Sequence, residues 1–196
     1  MFSVRFSATS DHRSADDHRL TALALAAREG TSEDVEAFAR AFYPDVRRFV
    51  AYLSDVQAAD DLTQETFVRA LGSLPRFAGR SSARTWLLSI ARRVVVDMFR
   101  SAAVRPAVAD VADWQSAAER CLPRGLPGHE DGVALDDLLS RVPPQRREAF
   151  VLTQLMGLSY AEAAVLIGCP VGTVRSRVAR ARRQLVASLL SAERAA

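Results

Sequence analysis

An all-α fold of two small helical domains joined by a flexible linker is what this sequence predicts, on three observations. Apolar residues recur at helical spacing through residues 20–101 and again through 134–190. Between them, residues 102–133 lose that period and collect Pro106, Pro123, Gly125, Pro127, Gly128 and Gly132. Residues 157–183 then read as a helix, a tight turn and a second helix with arginines on its outer side.

Taken in order, residues 1–19 mix Ser, Asp, His and Arg without periodicity and are predicted to be a loose tail. A helix follows from Leu20 to Glu29, ended by Gly30. Thr31 or Ser32 can cap the next, whose stripe is Val35, Phe38, Ala39, Phe42, Val46, Phe49, Val50 and Leu53. Pro44 interrupts that stripe, so a kink or break is expected there. Asp60 to Leu71 form another helix. Leu62, Phe67, Ala70, Leu71 and Leu74 supply its buried side, and Asp61, Gln64, Glu65 and Arg69 its outer one. On periodicity alone that outer side is a solvated face. Paired carboxylates also serve acid–base or metal chemistry, but no His accompanies them and no Gly-rich phosphate loop lies nearby.

Residues 75–83 are a loop rich in turn formers and arginine. Trp86, Leu87, Ile90, Val94 and Met98 line the long helix that follows, with Ser89, Arg92, Arg93, Val96 and Arg100 on its other side. A basic helix preceded by a loop carrying Phe77, Ser81 and Ser82 suits contact with an unpaired nucleic-acid strand. Arginines track the backbone while bases stack on aromatics or enter pockets. After the linker, with Trp114 and Leu122 as candidate docking anchors, Val133 to Leu139 resume a short helix. Pro143-Pro144 open the next, Gln145 to Met156, and Gly157 closes it.

The second half carries the clearest chemistry. Ser159 followed by Glu162 is a capping box. Gly168 suits a left-handed helix end, and Pro170 cannot continue the helix. From Val171 a new helix keeps Val174, Val178, Ala181 and Leu185 on one inward stripe. At about 3.6 residues per turn the opposite side holds Ser176, Ala179, Arg180 and Arg183, flanked by Arg175, Arg177 and Arg182. Guanidinium groups can pair with phosphates or make bidentate bonds to guanine, and the small Ser and Ala let a helix approach base edges. A capped helix, short turn and arginine-faced helix point to DNA binding.

Composition sets bounds. Hydrophobic residues make up 49% of 196, enough for a packed core. All 26 basic residues are Arg, six between Arg80 and Arg105 and six between Arg175 and Arg194. Cys121, Cys169 and three scattered histidines form no metal-ligand spacing, and two thiols make no disulfide framework. No metal, cofactor or catalytic residue is expected. With no signal-like apolar run in residues 1–19 and no segment near about 18 apolar residues, a soluble, cytoplasmic protein is expected.

Three ordered motifs resemble one family. Asp60-Asp61-Leu62-Thr63-Gln64-Glu65-Thr66-Phe67 comes first, then Ser82-Ala83-Arg84-Thr85-Trp86-Leu87-Leu88-Ser89-Ile90-Ala91-Arg92. Leu158-Ser159-Tyr160-Ala161-Glu162-Ala163-Ala164 follows, with Cys169-Pro170-Val171-Gly172-Thr173-Val174-Arg175-Ser176-Arg177. Together they resemble the extracytoplasmic-function (ECF) group of bacterial sigma factors, in the sigma-70 family. The resemblance implies a helical sigma region 2 over 20–101, a linker over 102–133, a helix-turn-helix sigma region 4 over 134–190 and a tail over 191–196. It implies a subunit that joins RNA polymerase core, through the clamp of the largest subunit and the flap of the second largest, and directs it to promoter DNA.

By the same resemblance, Asp60, Asp61, Gln64, Glu65, Val68 and Arg69 dock on core, in place of the solvated face. Phe77, Arg80, Ser81, Ser82, Arg84, Trp86, Arg92, Arg93 and Arg100 engage the −10 element. Thr173, Arg175, Ser176, Arg177, Ala179, Arg180 and Arg183 meet the −35 element, with Ser176 and Arg180 toward base edges. A separate anti-sigma protein is a further partner it implies. The rival reading is a stand-alone helix-turn-helix regulator, against which the first domain shows neither a ligand-pocket signature nor dimerisation heptads.

Overall fold

The computed structural model describes residues 8–54, 56–104, 135 and 137–193, and among these there is helix and no strand. The linker, with Trp114, Cys121 and Leu122, lies outside the described residues. The first half comprises α1 (Ala8–Glu29), α2 (Ser32–Leu53), α3 (Val56–Ser73), a 3-10 turn at Leu74–Arg76 and α4 (Ala83–Val104). The second half has a helical turn at 137–140, α5 (Pro144–Phe150), a π-helical stretch at Val151–Leu155, α6 (Tyr160–Ile167) and α7 (Val171–Glu193).

In the first half α2 is the central helix. Phe38, Phe42, Val46, Phe49 and Val50 are buried against α1, α3 and α4. Each such ring or branched side chain contributes about 1.5–3 kcal/mol by leaving water. The chain does not break at Pro44, and α2 runs through it as one helix. Proline there removes one backbone bond, but the stripe on both sides of it is held in the core. At the start of α2, the Thr31 N–H donates to the Asp34 carboxylate at 2.8 Å, closing the cap.

α1 begins at Ala8, so part of the predicted tail is helical. Its apolar anchors are Leu20, Ala24 and Ala27, all buried. Upstream of Leu20 the anchors are polar. Asp17 accepts from Arg84 Nε at 2.8 Å, and the Thr21 hydroxyl donates to the Asp17 carbonyl at 2.7 Å. Charge pairing leaves no apolar period to read, which is why the sequence looked loose there. In α3, Leu62 and Ala70 are buried as expected, while Leu71 is 38% exposed. Thr63 and Thr66 are buried too. Their hydroxyls bond the carbonyls of Ala59 and Leu62 one turn back, at 2.6 and 2.7 Å, so burial leaves neither unsatisfied.

The second half follows its capping signals closely. Ser159 Oγ accepts the Glu162 N–H at 3.2 Å, and the Ser159 N–H donates to Glu162 Oε2 at 2.9 Å. Gly168 sits at φ 78°, ψ 41°, closing α6 in the left-handed region. Val174, Val178, Ala181 and Leu185 are buried where α7 packs on α5 and α6. The helix opened by Pro144 changes pitch, since the Met156 N–H reaches back five residues to Val151 at 2.8 Å. Arg147 is 4% exposed and donates to the carbonyls of Ser140 and Val142 at 2.9 and 3.2 Å. Burial lowers its pKa to about 10.

Candidate nucleic-acid interface

On the helix-turn-helix, the capped α6 and the glycine-ended turn hold α7 so that one side is buried and the other faces solvent. Arg175, Ser176, Ala179, Arg180 and Arg183 are exposed along that side. Thr173 is half-buried at its base, with its carbonyl accepting the Ser176 hydroxyl at 2.9 Å. Arg175 lies over the Tyr160 ring, 5.9 Å from its centroid, which braces it near the helix start. Arg177 turns the other way. Its guanidinium donates to Gln145 Oε1 on α5 at 2.8 Å and lies 3.9 Å from Cys169 Sγ. Arg182 likewise reaches Gln154.

The basic loop and α4 form a second surface. Phe77 is 4% exposed and packs on Trp86 with ring centroids 4.8 Å apart, so its ring belongs to the core in this form. Arg28 Nη1 donates to the Phe77 carbonyl at 3.1 Å, and Gly79 turns the chain at φ 66°. Arg80 and Ser81 are exposed at the loop tip, while Ser82 caps α4, its Oγ accepting the Thr85 N–H at 3.1 Å.

Arg84 is enclosed by acids. It bonds Asp17 and Asp45, with Asp16 at 4.0 Å. Burial opposes its charge, but the Asp17 hydrogen bond and the surrounding carboxylates outweigh that and raise its pKa above the ordinary value. Phe77 and Arg84 are thus engaged inside the protein, whereas Arg93 and Arg100 are exposed on α4.

The acidic side of α3 is a third surface. Asp60, Asp61, Gln64, Glu65, Val68 and Arg69 are all exposed, Val68 to 66%. Arg47 Nε donates to Asp60 at 2.6 Å, and Arg69 bridges Glu65 and Asp97 at 2.7 and 2.6 Å. Those hydrogen bonds raise the pKa of both arginines, Arg69 chiefly through Asp97. Sequence reasoning missed the neighbouring groove, about 560 Å³, lined by Tyr43, Pro44, Gln64 and Phe67. Tyr43 is 40% exposed and stacks on Phe67 at 6.0 Å. Its one sequence signal is an aromatic beside, rather than on, the α2 stripe.

Also unforeseen is a junction between the halves. Arg92 on α4 donates through Nε to Glu148 Oε1 on α5 at 2.6 Å. The Thr85 hydroxyl donates to Glu162 Oε1 on α6 at 2.8 Å. Burial works to raise the Glu162 pKa, but the hydrogen bonds from Ser159 and Thr85 prevail and lower it. No described helix is long and apolar enough to cross a membrane.

Both halves of the chain match known proteins. Residues 38–105 match the family described as Sigma-70 region 2, and residues 132–185 match Sigma-70, region 4. The ECF RNA polymerase sigma factor SigC of Mycobacterium tuberculosis is 54% identical over 173 residues, spanning 88% of this chain and 92% of that protein. Among solved structures, the sigma factor RpoE from Bartonella quintana, in complex with the anti-sigma factor NepR, superimposes with a TM-score of 0.63 at 28% identity. The match covers 78% of this chain and 94% of that one. CnrH, in complex with the cytosolic domain of CnrY, gives a TM-score of 0.61 at 25% identity over 90% of this chain and 98% of its own.

Proposed function

Because the chain belongs to the ECF group of sigma-70 RNA polymerase sigma factors, we propose how its three surfaces divide the work of such a factor. It binds core RNA polymerase and directs promoter recognition and transcription initiation, acting in the cytoplasm as an initiation factor and not as an enzyme. A separate anti-sigma protein is a partner of the kind seen with its structural neighbours.

The exposed side of α7 reads the −35 element. Ser176 and Arg180 address base edges, with Ala179 leaving room for approach. Arg175 and Arg183 hold phosphates. Thr173 and Arg177 set the helix entry, Arg177 from its seat on Gln145. The loop tip, Arg80 and Ser81, with Ser82 and with Arg92, Arg93 and Arg100 of α4, engages the −10 element. Phe77, Trp86 and Arg84 shape that surface from behind. Asp60, Asp61, Gln64, Glu65, Val68 and Arg69 dock on the clamp of the largest polymerase subunit, and the second half meets the flap of the second largest.

The observation that carries this reading is the α7 face: exposed Arg175, Ser176, Ala179, Arg180 and Arg183 opposite a fully buried stripe. Each DNA surface is small, and two linked weak sites gain affinity only when held together. Labelled promoter should therefore bind the holoenzyme specifically at physiological salt and the isolated chain weakly. Comparable specific affinity without core would sink the assignment.

A further inference from the structure

Arg93, Asp97 and Arg100 fall at i, i+4 and i+7 on α4, within about 60° of one another around its axis. An acid thus stands between two exposed arginines on the face proposed for the −10 element. Asp97 pairs with neither of them. It accepts from Arg69 Nη1 at 2.6 Å, across from α3.

Arg69 is aimed there by its own helix. Its Nε donates to Glu65 Oε1 at 2.7 Å, one turn back, which leaves the far edge of the planar guanidinium to reach α4. The three side chains are between 41% and 47% exposed, so solvent screens both pairs and they add little to the stability of the fold. What they decide is which charges the α4 face presents. With Arg69 in place, the Asp97 carboxylate is matched at contact distance before any phosphate arrives. Without it, that carboxylate would stand beside the path of the strand and repel it. It would also turn to Arg93 or Arg100, four and three residues away on its own helix, and draw that guanidinium off the phosphate. Both consequences weaken contact with nucleic acid.

We infer that Arg69 is a positioning residue for DNA contact: by holding Asp97 it keeps Arg93 and Arg100 free for phosphates. The inference rests on the proposed engagement of the −10 element by α4. It gives a second task to a residue of the core-docking side of α3, at the place where that side meets α4. Asp97 enters as the acid that Arg69 masks.

The test uses core polymerase saturated with each chain, so that differences in core affinity do not enter the reading. The probe is a labelled forked duplex with a single-stranded overhang of mixed sequence, bound across a range of salt. Arg69 is exposed and Ala suits a helix, so Arg69→Ala leaves the fold standing. It should weaken binding about fivefold and lower the salt slope by about one unit. Asp97→Asn removes the acid and should bind as well as wild type, or up to about twofold tighter. Added to Arg69→Ala, it should restore both affinity and slope, the affinity to within about twofold of wild type. A tie that only braces α3 against α4 gives a different pattern, in which each single variant weakens binding and the double is no better than either. That pattern would overturn the inference, as would unaltered binding by Arg69→Ala. A chain carrying Arg93→Ala with Arg100→Ala probes the reading beneath it. If that chain loses affinity while Arg69→Ala does not, only the masking role fails. If it too binds like wild type, the assignment of α4 to the −10 element fails with it.

Discussion

Arg92 and Glu148 stand on opposite halves of the chain, joined at 2.6 Å with side chains only 19% and 7% exposed. One partner belongs to the proposed −10 surface and the other to the helix behind the recognition motif. A phosphate that engages Arg92 must compete with Glu148. Removing one member of a buried pair leaves the other uncompensated, a loss of about 3 kcal/mol at the lower end for such pairs. Glu148→Gln should therefore loosen the halves. Small-angle scattering of the free protein should give a larger radius of gyration with unchanged helicity. An unchanged radius would mean the pair does not hold the halves together.

The α3 face gives a second expectation. Asp61 and Glu65 are exposed, so reversing both to Arg should leave the fold intact. Glu65 reversal removes one partner of Arg69, which keeps Asp97. Core affinity, read by competition with labelled wild type, should drop at least about tenfold. Equal affinity, or lost helicity by circular dichroism, would count against the docking face.

On α7 two arginines should behave differently. Arg180→Ala should cost about 1–3 kcal/mol on the cognate −35 sequence and flatten discrimination at one position. Arg175→Ala should weaken all sequences alike and reduce the salt slope by about one unit. It also loses the Tyr160 contact, about 0.5–1 kcal/mol at an exposed site. Binding of holoenzyme to a panel of single-base −35 variants separates the two. Retained base preference in Arg180→Ala, with loss in Arg175→Ala, would reverse the orientation of the helix.

Glu162 predicts a pH dependence. Its folded pKa is lowered from the ordinary 4.5, so the unfolded state binds the proton first. The stabilisation is fully present above about pH 4.5 and is lost as pH falls through the lowered folded value. Urea midpoints measured from neutral pH down to about pH 3 should fall more for wild type than for Glu162→Gln. Parallel curves would remove Glu162 from the acid response.

Much of this molecule is legible in its sequence because its signals are local. The capping box of Ser159 and Glu162, the Gly168 stop and the Val174 stripe all act within one or two turns, and each stands where its pattern predicts. The α3 face is legible for the same reason, since Thr63 and Thr66 satisfy themselves within their own helix. What was not legible depends on distant partners. Residues 8–19 are helical through anchors such as Arg84, found 67 residues beyond Asp17. Tyr43 forms a groove only once Phe67 stacks on it. Phe77 and Arg84 have the composition of a strand-binding loop, yet Trp86 and three aspartates claim them. Periodicity says which side of a helix turns inward, not which other helix it will meet.

The Glu162 carboxylate is shared by two tasks, one oxygen to each. Oε2 accepts the Ser159 N–H within the motif, and Oε1 accepts Thr85 across the junction. Parting the halves therefore breaks a bond to Oε1 and leaves the α6 cap in place. Separation becomes a rigid-body motion, with no helix end to refold on either side. Its barrier is then the breaking of the Arg92–Glu148 and Thr85–Glu162 bonds, not local unfolding, and the recognition motif parts from the first half already assembled.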